Sequence, residues 1–363
     1  MLPKGVDPSA KYPHPISQYF HDGQSYRQCP NFKCDFSVTT NISGPPKSAI
    51  EAAKATFADM EHYPEQDAWV PRCWFADFIG LTPSECLLGN GSSELIDVTC
   101  RIFPKGTTWR QGPWSCQYRE YARSSAAAGL VEVDKNSKHA DLTIIVNPNS
   151  PTGDFLELDY FRKVLNDDPT TTLIVDESFI ICYGRDWKEK SCMKLIPEFG
   201  DRIIVHSSWT KVYACPGLRL GTVVSTSAII DRIAALQCPW SVNGFAQAFF
   251  VKALQEKDYF NEMWEYTPIW KKEMHELLKS IHVKPNENSP LWVPYEYCDF
   301  LSPEIASFAE KIAFDAGFPV RNCTDFGEGR FLRFGVRKIE YFRELIEVLR
   351  NNKKLMAMII SFQ

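Results

Sequence analysis

A chain of 363 residues with 44% apolar and 13% aromatic side chains carries enough hydrophobic surface for a large domain and a smaller one, and too much for one small core. Its 40 basic and 45 acidic residues are interspersed and sum to a net charge of −5, which speaks against a nucleic-acid surface or a polybasic membrane patch. The twelve cysteines are scattered, and Cys29 with Cys34 has neither a second pair nor a histidine at zinc spacing, so they read as reduced thiols of a cytoplasmic protein without a metal.

Residues 1–45 are rich in Pro, Gly, Ser and aromatics and lack periodicity, which predicts an extended arm joining the smaller domain. They hold no apolar stretch of the signal-peptide kind, and no run in the chain reaches the roughly 18 apolar residues of a membrane span. From Ser48, SAIEAAKATFADM begins with a cap and continues at helical spacing. Short β-branched runs then alternate with longer amphipathic ones. ECLLG, TTWRQ, LVEVD, DLTIIV, TTLIVD, RIIVHS and RLGTVVS predict strands, and the segments between them helices. The alternation predicts an α/β domain over residues 46–255, a mostly parallel seven-stranded sheet between helices with its ligands at the carboxyl ends of the strands. From about Asp258 one long amphipathic helix leads into mixed pieces ending in RFLRFGVRK and YFRELIEVLRNNKK, which predict a smaller α+β domain over residues 256–363. The closing LMAMIISFQ is too short to span a membrane and is expected to pack on that domain or at a subunit contact.

The polar clusters fall where the strand rule puts a site. GNGSSE follows ECLLG, NPNSPTG follows DLTIIV, Asp176 ends TTLIVD, and Ser208 with Lys211 follows RIIVHS. Lys211 has hydroxyls before it at Ser207, Ser208 and Thr210 and a fixed cation after it at Arg219. Such a setting suits a lysine that bonds a carbonyl carbon while its neighbours hold a phosphate. A carboxylate at a buried strand end, Asp176, needs a cation, and a protonated pyridine nitrogen is one. GNGSSELI is a glycine-rich turn opening a helix, where the amides of Ser92 and Ser93 meet a phosphate at the positive helix end.

SSWTKVYACPGLRLG, LIVDESF, NPNSPTG, GNGSSELI and HYPEQ occur in the order and spacing of pyridoxal-phosphate enzymes with the class I/II aminotransferase fold. The chain is similar above all to the branch of histidinol-phosphate aminotransferases and threonine-phosphate decarboxylases, and QCPWSVN at 237–243 resembles the decarboxylases. The resemblance implies the cofactor pyridoxal 5'-phosphate, with Lys211 as the lysine that bonds it and moves protons at the substrate's α carbon. It implies Asp176 as partner of the pyridine nitrogen, and Ser92, Ser93, Ser208 and Arg219 as phosphate ligands. Tyr63 in HYPEQ matches a tyrosine reaching the cofactor phosphate of a neighbouring subunit, so a homodimer with shared sites is implied. Arg333 matches the arginine that grips the substrate carboxylate, a task suited to a planar bidentate donor. Strand alternation sets Arg333 and Arg337 on one face and Arg330 on the other. Arg321 falls where related enzymes hold a distal phosphate of the substrate; as bare sequence it is equally a surface charge.

Three positions depart from the pattern. Phe179 stands where most aminotransferases have a tyrosine bonding the cofactor's phenolic oxygen, and Ser150 where an asparagine shares that task. In GPWSCQY the ring-stacking position falls on Ser115; a shift of one residue restores Trp114 as the stacking ring, with Tyr118 where a tyrosine is usual. The expected function is therefore transamination of an α-amino acid with a polar or anionic side chain. Decarboxylation of a phospho-amino acid, elimination or cyclisation, and a non-catalytic binding role remain as alternatives.

Overall fold

The computed structural model describes residue 23 and residues 25–362, so the expectation for residues 1–22 and 24 of the arm lies outside the described residues. Helix α1 (Lys47–Ala55) is followed by α2 (Trp69–Ile79), β1 (Cys86–Asn90), α3 (Ser92–Arg101), β2 (Thr108–Gln111), α4 (Glu120–Ala128) and β3 (Val131–Glu132). Next come β4 (Leu142–Val146), α5 (Leu158–Asp167), β5 (Thr172–Asp176), α6 (Ile196–Phe199), β6 (Ile203–Ser208) and the one-turn α7 (Trp209–Val212). Strand β7 (Leu220–Val224), α8 (Ser227–Ala234) and α9 (Gly244–Leu254) complete the first unit. All seven apolar runs form the strands expected of them. They build one sheet in the order β1-β7-β6-β5-β4-β2-β3, parallel throughout except for β7, which runs antiparallel to both neighbours.

Why those runs are continuously apolar follows from what each face covers. Leu173 and Val175 of β5 enter a core with Phe75, Phe249 and Phe250 from α2 and α9, whereas Ile174 between them enters a second core with Leu95, Tyr121 and Ile230 from α3, α4 and α8. A strand buried on both faces has no position at which a polar residue reaches water. The helix α9 starts where Asn243 Oδ1 accepts the Ala246 N–H at 2.9 Å, so the end of QCPWSVN is a helix cap.

The second unit comprises α10 (Asn261–Lys279), β8 (Lys284–Pro285), β9 (Tyr295–Asp299), α11 (Pro303–Asp315), β10 (Arg321–Asn322), β11 (Phe331–Gly335), α12 (Ile339–Asn351) and α13 (Lys353–Phe362). Its antiparallel sheet, in the order β10-β11-β9-β8, carries its own core. The chain's end packs there through Leu355 and Ile359. Helix α10 belongs to both units, with Met263 in the large core and Met274 and Leu278 in the small one.

The described part of the arm is anchored in the small unit. Phe36 N donates to Pro319 O at 2.9 Å, Gly335 N donates to Phe36 O at 2.7 Å, and the Phe36 ring is fully buried against Phe318 and Phe342. The arm then crosses to the large unit, where Asn41 N donates to Lys211 O at 2.8 Å. Phe36→Ala removes a buried ring at this anchor and is expected to destabilise the protein by about 3–5 kcal/mol in urea denaturation. A loss under about 1 kcal/mol, the size typical of an ordinary substitution, would show that the arm is not part of the small core.

Candidate active site

Three parallel strands end at one edge, and the loops after them close around a pocket between the two sheets. Strand β4 delivers Val146 and Ser150, β5 delivers Asp176, Ser178 and Phe179, and β6 delivers Ser208 with Thr210 and Lys211. Helix α3 opens at the same edge with no side-chain cap, so its first amides are not satisfied within the helix, and Ser92 and Ser93 line the wall. The small sheet contributes Arg321 and Arg333, and the arm Ser37, Val38 and Thr39.

Lys211 sits on the one-turn helix after β6 and keeps part of its side chain open to the pocket. Burial pushes its amine down to about 8, and the positive charges of Arg333 and Arg219 push in the same direction against Asp176. A substantial neutral fraction is therefore present near physiological pH, which is what a nucleophilic amine needs. Asp176 is buried at the end of β5 and forms no ion pair among the described residues. Burial raises its pKa, opposed by the Ser178 N–H at 2.9 Å, the Ser178 hydroxyl at 2.6 Å and the Tyr121 hydroxyl at 3.1 Å.

Behind Asp176 lies a chain the sequence did not reveal. The Tyr121 oxygen is also 3.0 Å from His206 Nδ1, and His206 Nε2 is 3.0 Å from the Thr99 hydroxyl. Burial drives His206 down to about 3, so its ring is neutral. An ionised Asp176 accepts from Tyr121, Tyr121 then accepts from Nδ1–H of His206, and Nε2 accepts from Thr99. The available signals were a histidine inside an apolar strand, paired in register with Asp176 itself, and a tyrosine three residues after Tyr118. Ser178 was also missed as a wall residue; Thr210, one of the hydroxyls expected beside Lys211, lines the pocket and lies 2.8 Å from the Ser208 hydroxyl.

Arg333 is buried, with Nη1 donating to Ser150 Oγ at 3.1 Å and Nη2 to Ser37 O at 3.0 Å. Arg321 stands directly opposite it in the β10–β11 ladder and pairs with Asp325. Arg330 is half exposed and pairs with Asp299 at 2.8 Å. Arg337 lies beyond the end of β11, not on its face beside Arg333, and its guanidinium binds the arm carbonyls of Asp35, Val38 and Thr40.

Of the aromatic candidates, Tyr118 lines the pocket, and Trp114 is not among its lining residues. The Trp114 indole N–H donates to Val146 O at 3.1 Å. Phe179 packs edge-on against Tyr295 with centroids 5.1 Å apart. Tyr63 lies outside this pocket, is 80% exposed, and stacks on Trp240 of QCPWSVN at 4.7 Å. That segment is held by Ser241 Oγ and Gln237 Nε2 on Glu94, whose carboxylate also accepts the Asn90 N–H at 2.7 Å in the glycine-rich turn.

The model of the family "Aminotransferase class I and II" matches residues 33–349. The L-serine phosphate decarboxylase of Campylobacter jejuni is 24% identical over 303 residues, covering 77% of each chain. Histidinol-phosphate aminotransferase 1 of Psychrobacter arcticus is 23% identical over 317 residues, covering 80% of each. The crystal structure of histidinol-phosphate aminotransferase from Sinorhizobium meliloti in complex with pyridoxal-5'-phosphate superposes with a TM-score of 0.79 at 17% identity, covering 97% of this chain and 99% of that one. The chain therefore belongs to the class I and II aminotransferase family of pyridoxal-phosphate-dependent enzymes.

Proposed function

We propose that this protein is an aminotransferase acting on an α-amino acid with a polar or anionic tail. The observation that carries the reading is that Lys211, Asp176 and Arg333 line one pocket, with both charged groups acting on the Lys211 amine. The residues present fit the cofactor. A Cβ built on Gly91, whose φ is +78°, would come within 2.2 Å of Arg219 Nη2, and one on Gly221 within 2.2 Å of the Ser92 backbone N. The missing side chains let Arg219 and the first residue of α3 approach the backbone closely, so that the guanidinium lies beside the helix end that would receive a phosphate.

Pyridoxal phosphate supplies an aldehyde carbon that joins an amine and a ring that accepts electrons from the α carbon. The protein's own groups do the rest. Asp176 keeps the ring nitrogen charged; Ser92, Ser93, Ser208 and Arg219 hold the phosphate, joined by the Thr210 hydroxyl. Tyr118 provides the aromatic wall, in place of Trp114. Arg333, aimed by Ser150 and Ser37, grips the substrate carboxylate, and Lys211 moves a proton at the α carbon. A carboxylate neutralised by a buried guanidinium is stabilised in its charged form, which opposes its departure as carbon dioxide and favours proton movement.

Decarboxylation is the second reading, and Phe179 favours it, because no hydroxyl reaches the pocket from that position. The name of the Campylobacter jejuni relative points the same way. Purified protein is expected to show visible absorbance of the bound cofactor that Lys211→Ala abolishes, and amino acids are expected to yield keto acids. Carbon dioxide without any keto acid would replace transamination with the second reading.

A homodimer is supported by the surface around Tyr63, where Met60, Tyr63, Val70 and Trp240 line one groove and are all exposed. A second copy covers it and brings Tyr63 to the partner's cofactor phosphate. Tyr63→Ala is expected to weaken cofactor binding by about tenfold, the effect of losing roughly 1.4 kcal/mol, while sedimentation still reports a dimer; a wild-type monomer at micromolar concentration would remove this assignment. A cytoplasmic location is supported by twelve free thiols and by the lack, among the described residues, of any helix long and apolar enough to cross a membrane.

The lowered Lys211 amine makes a pH prediction. Its charged form is disfavoured in the folded protein, so the neutral amine appears as pH rises through about 8, well below the range of an exposed lysine. The rate at which apoprotein captures pyridoxal phosphate is expected to rise with a midpoint near that value. Removing a neighbouring positive charge with Arg333→Gln restores the charged form and moves the midpoint upward. An unshifted midpoint would show that Arg333 does not act on Lys211.

A further inference from the structure

The described arm runs between two groups of the pocket, Arg333 and Lys211. Ser37 O accepts from Arg333 Nη2 at 3.0 Å, while Asn41 N donates to Lys211 O at 2.8 Å and Asn41 Nδ2 to Val212 O at 2.9 Å. Between those ends Ser37, Val38 and Thr39 line the pocket. Residues 35–41 form neither helix nor strand, so each backbone group there needs a partner of its own.

For the carbonyls those partners converge on one side chain. Arg337 Nε donates to Asp35 O at 3.1 Å, Nη1 to Thr40 O at 2.5 Å, and Nη2 to Val38 O at 2.8 Å and to the Thr40 hydroxyl at 3.0 Å. A second Nη1 bond, to Val336 O at 2.9 Å, ties the fork to its own strand end. Phe36 O accepts from Gly335 N at 2.7 Å, and a Cβ built on Gly335 would lie 2.2 Å from Val38 O, so the arm passes tightly over the end of β11. Ser37 O, the acceptor for Arg333, therefore lies between two carbonyls that Gly335 and Arg337 fix. The Asp35 carboxylate adds a hold from within the arm, its Oδ1 accepting from the Ser37 N–H at 2.8 Å and hydroxyl at 2.7 Å. Arg337 itself is not among the residues lining the pocket, so whatever it does there passes through the arm. Bonds from a charged planar fork are stronger and more directional than those between neutral groups, and a lysine's point charge does not reproduce them.

We infer that Arg337 is a positioning residue for the substrate's α-carboxylate, acting through the arm on Arg333. The inference rests on the reading that Arg333 grips that carboxylate, and it adds the residue that sets the grip.

O-phospho-L-serine and O-phosphoethanolamine share an amine and a polar tail and differ in the α-carboxylate alone. The ratio of their affinities for the holoenzyme, each followed by the saturable change in cofactor absorbance, isolates the grip on that group. Wild type is expected to bind O-phospho-L-serine more tightly by at least about tenfold. Arg337→Gln is expected to weaken O-phospho-L-serine by about tenfold and to change O-phosphoethanolamine by less than about twofold, and Arg337→Lys to recover only part of the loss. Thr40→Val removes a single bond of the fork and serves if Arg337→Gln does not fold; it is expected to shift the ratio the same way by about threefold. A residue serving stability alone moves both ligands together or neither, and either result overturns the inference. An unchanged ratio in every folded variant beside a discriminating wild type overturns this inference alone. Equal binding of the two ligands by wild type removes the carboxylate reading of Arg333 and this inference with it.

Discussion

A carboxylate buried at the end of a closed strand is the constraint on which this site is built. An ionised group moved from water into such a place costs on the order of several kcal/mol unless its charge is met. The protein alone meets it only in part. Ser178 and Tyr121 give Asp176 neutral donors, its pKa remains raised by burial, and the cation it faces at a distance is Lys211. Under the proposed reading, a ring nitrogen carrying a proton would supply the missing charge. The neutral His206 behind Tyr121 adds no charge of its own. It fixes the direction of the donor chain, so that Tyr121 has its proton for Asp176.

The second constraint is that the pocket draws its walls from two different sheets. Lys211, Asp176 and Ser208 ride on the parallel sheet; Arg333 and Arg321 ride on the antiparallel one. Three links set the distance between the sheets. The arm runs from the small core at Phe36 to the backbone of Lys211 at Asn41, α10 contributes to both cores, and Asn286 of the small unit donates to Thr152 O at 2.8 Å in the loop after β4. The arm and the Asn286 link each pass within a few residues of a pocket wall, at Thr39 and Ser150. A relative movement of the two sheets therefore changes the spacing between amine and guanidinium, with Ser37 moving alongside Arg333.

What was legible in the sequence is what depends on local pattern. Strands buried on both faces, such as β4 and β7, give unbroken apolar runs, and these were readable together with the less buried β2 and β3, as was the edge where GNGSSE, NPNSPTG, Asp176 and Lys211 meet. The misplacements arose where geometry outweighs spacing. Trp114 lies in the right segment and its N–H finds the carbonyl of the wall residue Val146, but the aromatic of that segment which lines the pocket is Tyr118. Arg337 has the parity of Arg333, but the strand ends at Gly335 and the guanidinium turns to the arm. Tyr121 and His206 were visible only as a tyrosine near Tyr118 and a histidine in an apolar strand, because a hydrogen bond between residues 85 apart in the chain leaves no period in the sequence.

The departures at Ser150 and Phe179 acquire a common meaning in the folded protein. In the enzymes this chain resembles, those two positions serve the cofactor's phenolic oxygen. Here Ser150 Oγ accepts from Arg333, and Phe179 packs on Tyr295, whose ring lies under the same guanidinium and whose hydroxyl donates to Asn149 O at 2.6 Å. Both substitutions thus act on the carboxylate grip instead of the ring. An asparagine amide at position 150 would bring two N–H donors, which cannot accept from a guanidinium, and its carbonyl oxygen would have to serve in place of the serine hydroxyl. A hydroxyl at position 179 would enter an apolar cluster with Val293 and Tyr295. The loss of donors at the phenolic oxygen and the firm seating of Arg333 are therefore two consequences of one rearrangement of the loops after β4 and β5.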